Sequence, residues 1–323
     1  MNRAFSARRV TTVAASTLVA AVLLTSCSST SNDVAAGETR TVQTVMGEVS
    51  VPVDIDSVIV LEGRRDTDIA LALDLPLVGF PARDPADGYE LRGPLADAID
   101  AAMEEGAEEL FLVDEINIEA IAQKAPSVII SRSTEIEPIK DQLEAIAPVI
   151  AIGNQDETTW QEDLLTVGEA TGTEARAEEL IAEYEGRVLE IQTTYATQIA
   201  ENSVVAFEYD DEGSDVGGGR LESLVLEDVG ALPSEAFATA LASDETQEFS
   251  YEQTLSAYND ADAILVFVTS SAWWDEVNAD ALWQQLPAVA AGHVVRGDRL
   301  THDGGPITAM KILDAVEELY KTI

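Results

Sequence analysis

The sequence predicts an α/β protein of two Rossmann-like lobes with mostly parallel sheets, joined by one long helix. Short apolar runs typical of buried strands alternate with helical patterns over about 130 residues before position 173 and about 120 after position 200. Between these regions, apolar residues recur at spacings of three and four with no intervening proline. The length of 323 residues leaves room for two separate hydrophobic cores.

The helical pattern of residues 173–200 is the element that joins the two regions. Its period places the apolar residues on one stripe of an α-helix. Thr173 is suited to the N-cap, and Glu174 to the first turn, where a carboxylate interacts favourably with the helix dipole. At about 1.5 Å per residue the helix would be roughly 40 Å long, which predicts a rigid connection between two lobes. The stripe consists of Ala177, Leu180, Ile181, Tyr184, Val188, Ile191, Tyr195 and Ile199.

The predicted elements divide the chain into five segments. These are a signal peptide (1–26), a tether (27–40), an N-terminal lobe (41–157), an interlobe helical segment (158–200) and a C-terminal lobe (201–323). Because parallel sheets bind ligands beyond the carboxyl ends of their strands, we expect a binding cleft between the lobes.

Strand and helix patterns give the predicted elements within each lobe. In the first lobe they are a hairpin at 41–53, strands at 57–61, 75–80, 109–113, 127–131 and 148–152, and helices at 66–73, 117–124, 137–147 and 160–171. In the second they are strands at 204–209, 263–268 and 293–297, and helices at 221–229, 250–258 and 306–323. Residues 81–94 and the glycine-rich residues 210–220 are predicted loops.

The N-terminus has the three-part plan of a secretory signal. Three arginines precede an apolar run over residues 10–24, which is short for a membrane-spanning helix. The run ends in Leu-Thr-Ser-Cys at Cys27, the only cysteine, and a small residue followed by Cys resembles a bacterial lipobox. We therefore expect lipidation at Cys27 and a chain held on the extracytoplasmic face of the cell membrane by its lipid alone. An ordinary signal peptide with an incidental cysteine is the alternative.

The charge balance argues against a nucleic-acid partner and leaves a site for Mg²⁺ or Ca²⁺ open. The chain has 60 acidic residues against 18 lysines and arginines, whereas nucleic-acid binding needs a basic face. With two histidines and one cysteine, a transition-metal cage is not expected, although a carboxylate site for Mg²⁺ or Ca²⁺ stays open. The sequence contains no nucleotide-binding loop and no nucleophile motif, so we expect neither a cofactor nor catalysis.

Four stretches in order resemble the substrate-binding lipoproteins of ABC importers that serve ferric siderophores, haem and cobalamin. Residues 117–130 carry Asn-Ile-Glu and then Lys-Ala-Pro-Ser-Val-Ile-Ile, with a serine where the family usually has an acid. Residues 143–149 read Leu-Glu-Ala-Ile-Ala-Pro-Val, and residues 250–264 begin Ser-Tyr-Glu-Gln. Residues 282–306 contain Leu-Trp-Gln-Gln-Leu-Pro-Ala-Val and end in Gly-Gly-Pro. The family fold, two lobes bridged by one long helix, agrees with the fold predicted from the patterns.

The resemblance implies a monomer that captures a ferric siderophore between its lobes and delivers it to an ABC permease. Two glutamates, Glu119 and Glu252, match the family positions that dock on the permease subunits. A haem- or cobalamin-binding protein of the same class is an alternative. Outside the class, the alternatives are an enzyme on a bilobal α/β scaffold and a purely structural surface lipoprotein.

Arginines near predicted strand ends are the main candidates for ligand contact. Arginine offers a planar, bidentate grip on carboxylates and catecholates, so an anionic ferric chelate is expected. Each could instead pair with a neighbouring acid, and a neutral or cationic hydroxamate stays open. The candidates are Arg65, Arg83, Arg92, Arg132 and Arg220.

Aromatic residues and one histidine complete the candidate ligand site. Trp273 and Trp274 follow a buried strand in a predicted loop, where a planar ligand would favour them. A hydrophobic plug is the alternative for this pair. Tyr209, at the end of a strand, and His302, at the predicted mouth of the cleft, are further candidates.

Overall fold

The computed structural model describes residues 37–84, 93–210, 212–243 and 246–323. The predicted signal peptide, the lipidation at Cys27 and the ligand contact by Arg92 lie outside these ranges. Two separate sheets with intervening helices confirm the predicted α/β class.

The first sheet is fully parallel. Its strands are β3 (Val58–Val60), β4 (Leu77–Ala82), β5 (Glu108–Leu112), β6 (Val128–Arg132) and β7 (Val149–Ile152). They lie in the order β5-β4-β3-β6-β7. An antiparallel hairpin of β1 (Thr39–Thr44) and β2 (Gly47–Pro52) precedes the sheet, as predicted. The central strand β3 and the edge strand β7 read as unbroken apolar runs because both of their faces are buried.

The second sheet has a parallel centre and an antiparallel edge. Its strands are β8 (Ser203–Tyr209), β9 (Ser214–Val216), β10 (Leu232–Pro233), β11 (Gln247–Phe249), β12 (Ala263–Val268) and β13 (Val294–Asp298). The order is β11-β9-β8-β12-β13, with β10 beside β8. Strands β9 and β11 pair antiparallel at the edge. Strands β9, β10 and β11 were not predicted from the sequence, because runs of two or three residues are too short to show a period.

Helices connect most of the strands. They are α1 (Arg65–Ala72), α2 (Ala96–Glu104), α3 (Ile118–Lys124), α4 (Ser133–Ile136), α5 (Lys140–Glu144), α6 (Trp160–Thr171), α7 (Glu174–Thr194), α8 (Ala196–Glu201), α9 (Leu221–Val229), α10 (Glu235–Leu241), α11 (Tyr251–Tyr258), α12 (Ser271–Ala279), α13 (Pro287–Ala291) and α14 (Pro306–Lys321). Helices α2, α4, α10, α12 and α13 were not predicted from the sequence. Among the described residues, no helix combines the length and apolar character needed to cross a membrane.

The long interlobe helix is shorter than predicted. Helix α7 has 21 residues and ends at Tyr195, whose backbone leaves helical geometry with φ −112° and ψ 28° before α8 begins. The predicted apolar stripe is nevertheless the buried face, with Tyr184 and Ile191 among its buried residues. Tyr184 packs edge-to-face on Trp160 of α6, at a ring-centroid distance of 5.2 Å. The period therefore identified the buried face correctly, although the helix is interrupted at one residue.

Helix α14 is fixed to the first lobe by the buried carboxylate of Asp68 on α1. This carboxylate accepts hydrogen bonds of 2.9 Å from the backbone N–H groups of Gly305, Ile307 and Thr308, and one of 2.6 Å from the Thr308 hydroxyl. Gly305 occupies the N-cap position and has no side chain to satisfy these donors. A carboxylate at this position satisfies the free N–H groups and interacts favourably with the helix dipole. The last helix of the chain thus depends on a residue about 240 positions earlier.

Replacing Asp68 is expected to destabilise the whole fold. Asp68→Ala leaves several buried donors without a partner, which should lower the free energy of unfolding by about 3 kcal/mol. That loss corresponds to a fall in Tm of roughly 6–12 °C, measurable by circular dichroism. The matched control is Asp275→Ala, which removes an exposed carboxylate on α12. A Tm for Asp68→Ala equal to that of the control would contradict this role.

Candidate functional site

The loop after β3 is held in place by the carboxylate of Asp66. Its oxygens accept hydrogen bonds from the backbone N–H groups of Leu61, Glu62 and Gly63, at 2.7–2.9 Å. Gly63 has a φ of +86°, and a Cβ there would lie 2.8 Å from the ring of Pro81. The local sequence therefore forces a tight turn that projects the side chains on either side of the glycine from the carboxyl end of the sheet.

Glu62 lies between two arginines of the first lobe. Its Oε1 is 3.4 Å from Arg132 Nη2 and 3.9 Å from Arg64 Nε. These three residues line a cavity of about 370 Å³ together with Arg83, which follows β4. The cavity lies at the carboxyl ends of β3, β4, β5 and β6, which is the edge where the sequence analysis expected ligand binding.

Asp303, which follows the 3₁₀ turn Arg299–His302, forms ion pairs between the lobes. Its carboxylate pairs with Arg132, and lies 3.4 Å from Nε of Arg65. In the same region the imidazole of His302 contacts the guanidinium of Arg64. First-lobe arginines and second-lobe acceptors thus join the two lobes in this region.

The second lobe repeats the arrangement of one glutamate between two arginines. Glu208, on β8, has Oε1 3.3 Å from Arg220 Nη1 and Oε2 2.6 Å from Arg299 Nε. Arg220 also pairs with Asp215 on β9, and Arg299 with Asp210 at 2.7 Å. Both arginines remain a fifth to a quarter exposed while they hold these acids.

The glycine-rich segment before α9 serves packing. A Cβ at Gly218 would lie 2.3 Å from the carbonyl oxygen of Ala240, so only glycine permits this approach of two backbones. The Ser223 hydroxyl donates a 2.8 Å hydrogen bond to the carbonyl of Gly217. The segment lies in the predicted loop of residues 210–220. Its bonds fix Arg220 at the start of α9.

Burial controls the protonation of the acids and of the histidine in the cleft. Desolvation raises the pKa of Glu62 to about 7, against the opposing charge of Arg132. Desolvation also raises the pKa of Glu208, and the two arginines beside it oppose that shift. Burial, assisted by the charge of Arg64, lowers the pKa of His302 to about 3. His302 is therefore a neutral imidazole at pH 7, and it adds no positive charge to the site.

Two predicted ligand residues are buried in the structure. Arg65 is 1% exposed, and its Nη1 pairs with Asp163 at 2.8 Å. Tyr209 is also 1% exposed and stacks near Trp283, at a centroid distance of 5.7 Å. The expectation that either one faces the cleft is incorrect. Their positions at strand ends are right, but their side chains point into the interior, which the sequence pattern did not reveal.

The tryptophan pair lies on helix α12 and not in the predicted loop. Trp273 donates a 2.8 Å hydrogen bond from its ring nitrogen to the carbonyl of Tyr209. Trp274 packs edge-to-face on Trp283, at 5.9 Å between ring centroids. Both are half-buried, and both pack against the core of the second lobe. The alternative interpretation of a hydrophobic plug therefore describes these contacts better than ligand stacking does.

The structure adds residues that sequence reasoning missed. Arg299, Glu62 and Glu208 belong to the cleft, although none was a predicted site residue. The sequence could have indicated Arg299 and Glu62, because each follows a predicted strand, and ligands bind at the carboxyl ends of parallel strands. Arg83, Arg132, Arg220 and His302 are all placed in or beside the cleft region.

The two predicted docking glutamates are exposed and lie on different lobes. Glu119 is in the first turn of α3, and Glu252 in the first turn of α11. The side chain of Asn117 caps α3 by accepting from Ala120 N at 3.0 Å. Both carboxylates are thus exposed at the first turns of their helices.

Two α/β lobes, one connecting helix and a polar cleft lined by arginines define a bilobal ligand-binding protein. The chain belongs to the periplasmic binding protein family, whose profile matches residues 66–300. That family consists of substrate-binding proteins.

Relatives and solved structures resemble the chain over most of its length. It is 27% identical over 320 residues to a probable siderophore-binding lipoprotein of Bacillus subtilis, YfiY, covering 94% of this chain and 95% of the relative. It is 26% identical over 267 residues to the ferric enterobactin-binding periplasmic protein FepB of Escherichia coli, covering 79% and 82%. The siderophore periplasmic binding protein from the fuscachelin gene cluster of Thermobifida fusca matches the structure with a TM-score of 0.68. That match has 26% identity and covers 84% of this chain and 98% of the other.

The buried acid Glu222 is expected to give stability a specific pH dependence. Desolvation, assisted by the charge of Glu208, raises its pKa to about 8. The folded state therefore holds a proton that the unfolded state loses above about pH 4.5, so stability falls as pH rises from about 4.5 to about 8. Glu222→Gln should remove this contribution, and its Tm relative to the wild type should increase from pH 5 to pH 8. Glu227→Gln, exposed on the same helix, is the control, and parallel Tm profiles for all three proteins would contradict the assignment.

Proposed function

We propose that the chain is the extracytoplasmic substrate-binding component of an ABC importer, and that it captures a ferric siderophore in the interlobe cleft. One observation carries the proposal: each lobe has arginines at the carboxyl edge of its sheet. The two lobes meet there, where His302 contacts Arg64 and Asp303 pairs with Arg132. Guanidinium groups converging from two sides suit an anion with several oxygen atoms, such as a catecholate or carboxylate chelate of iron. Capture needs no covalent chemistry.

The relatives support the same class of ligand. The names of the Bacillus subtilis relative and of the Thermobifida fusca protein refer to a siderophore. The name of the Escherichia coli relative refers to ferric enterobactin. In this chain the expected mechanism is enclosure between the lobes followed by docking on a permease. We also propose, from the lipobox-like sequence at Cys27, that a lipid anchor holds the monomer at the outer face of the cell membrane.

The test of this function is binding of ferric siderophores by the full chain. Tryptophan fluorescence titrations with tris-catecholate, carboxylate and tris-hydroxamate complexes of iron are expected to show tight binding of at least one anionic complex. Arg132→Gln and Arg220→Gln should each weaken that binding by about tenfold or more, because each removes one charged donor from a desolvated contact.

A matched control separates site effects from general charge effects. Arg176→Gln removes an arginine on α7 that pairs with exposed Glu179 at 2.7 Å, and it should leave the Kd unchanged. Thermal melts confirm that the cleft variants fold. Failure of the wild type to bind any of the ferric complexes would refute the proposed function, and wild-type affinity in both cleft variants would refute the arginine assignment.

Docking on the permease is proposed to use Glu119 and Glu252. One exposed glutamate on each lobe gives two contact points, so binding to the permease would depend on the distance between the lobes. Glu119→Ala/Glu252→Ala is expected to bind the ferric complex with wild-type Kd but to support little uptake of radioactive iron in cells. Rim charges chiefly set the association rate and orientation, so the defect should depend on salt in a reconstituted system. The control is Glu178→Ala/Glu227→Ala, also exposed, and uptake by the docking variant at the control rate would exclude this role.

A further inference from the structure

Each lobe holds one nearly buried glutamate between the two arginines that face the cleft. Glu62 is 10% exposed and Glu208 is 3% exposed. Each follows or ends a central strand of its own sheet, β3 in the first lobe and β8 in the second. The two glutamates therefore occupy corresponding places on opposite sides of the cleft, and each contacts two guanidinium groups.

These contacts do not use the full hydrogen-bonding capacity of the arginines. Within the described part of the chain, Nε of Arg132 and Nη1 of Arg220 are buried and donate no hydrogen bond. Arg220 Nη1 lies 3.3 Å from Glu208, close enough for charge attraction without the angle that a hydrogen bond requires. A ligand with anionic oxygen atoms in better geometry can thus compete for the same guanidinium groups.

We propose that Glu62 and Glu208 are internal counter-ions, which hold the cleft arginines until an anionic ferric chelate binds and then release them, taking up protons from solvent. The inference rests on the proposed function and deepens it. It identifies Glu62 and Glu208 as the residues that determine how strongly binding affinity depends on the charge of the ligand. When the chelate replaces a glutamate at the arginines, the carboxylate loses its positive partner and gains a negative neighbour.

The charges around Glu62 support proton uptake near neutral pH. Burial already raises the pKa of Glu62 to about 7, and the charge of Arg132 is the main influence that keeps the carboxyl ionised. The charge of Asp66 raises the pKa of Glu62, and that of Arg64 lowers it. Asp303 pairs with Arg132 from the other lobe. Transfer of Arg132 to an anionic ligand removes the largest stabilisation of the charged form, so Glu62 binds a proton.

The charges around Glu208 act in the same direction. Burial raises the pKa of this carboxyl, and its two arginines oppose the shift. Its acidic neighbours add negative charge, and the neutral imidazole 3.6 Å away adds no positive charge. The groups that face Glu208 from the elements packed around it are Arg220, Arg299, Asp215, Glu222 and His302.

The proposal predicts a difference between ligands of different charge. A ferric tris-catecholate carries a net charge of about −3, whereas a ferric tris-hydroxamate centre is neutral. Because only the anion displaces the glutamates, its affinity should rise as pH falls from 8 to 6, with net uptake of protons at pH 7. Binding of the neutral complex, where it occurs, should show neither effect.

The experiment is isothermal titration calorimetry of the full chain with both complexes at pH 6, 7 and 8. Buffers of different ionisation enthalpy give the number of protons taken up by the wild type, a measurement that needs no variant. Glu62→Gln/Glu208→Gln keeps the size of both side chains and removes their charge. It is expected to bind the tris-catecholate complex about tenfold or more tightly than the wild type at pH 8, and to lose the proton uptake.

Glu104→Gln/Glu227→Gln is the matched control, because it removes two exposed glutamates, one from each lobe. This control should keep the wild-type affinity and proton uptake. Binding of the tris-catecholate complex without proton uptake, or weaker binding by the Glu62/Glu208 variant, would overturn the counter-ion role and leave the proposed function standing. If the wild type binds neither complex, both the counter-ion role and the proposed capture of these chelates fail.

Discussion

The buried carboxylate of Asp68 supports the geometry of the cleft. By satisfying the free N–H groups of α14, it places the start of that helix against α1 of the first lobe. Asp303, two residues before the N-cap of α14, is thereby held beside the first-lobe arginines. The interlobe ion pairs therefore depend on a helix cap, and a desolvated cap of this kind is strong because four donors converge on one charge.

The cleft balances positive and negative charge locally in a protein with a formal net charge of −42. At physiological ionic strength, screening limits the field of the acidic surface to about 8 Å, so the paired groups inside the cleft decide what binds there. Neutral His302 and the elevated pKa of Glu62 leave the arginines as the dominant charged donors.

Sequence patterns predicted the fold well where one physical rule dominates. The alternation of strands and helices, the buried face of α7 and the bounds of α6 and α9 follow from periodicity and from capping residues such as Thr159 and Gly230. The direction in which individual side chains point could not be predicted from these patterns. Arg65 and Arg132 both lie near strand ends, yet only Arg132 reaches the cleft, because Asp163 on a distant helix draws Arg65 inward. Such tertiary pairing leaves no local signal.

The dependence of α14 on Asp68 also affects how the chain acquires its structure. The donors at residues 305–308 are synthesised about 240 residues after the carboxylate that they need. Until they arrive, Asp68 is an unpaired charge at a surface that must later be buried, which disfavours early closure of the first lobe. Contacts of such long range also make folding slow. The first lobe can therefore complete this buried contact only after the start of α14 has been made, so the two lobes finish their folding together.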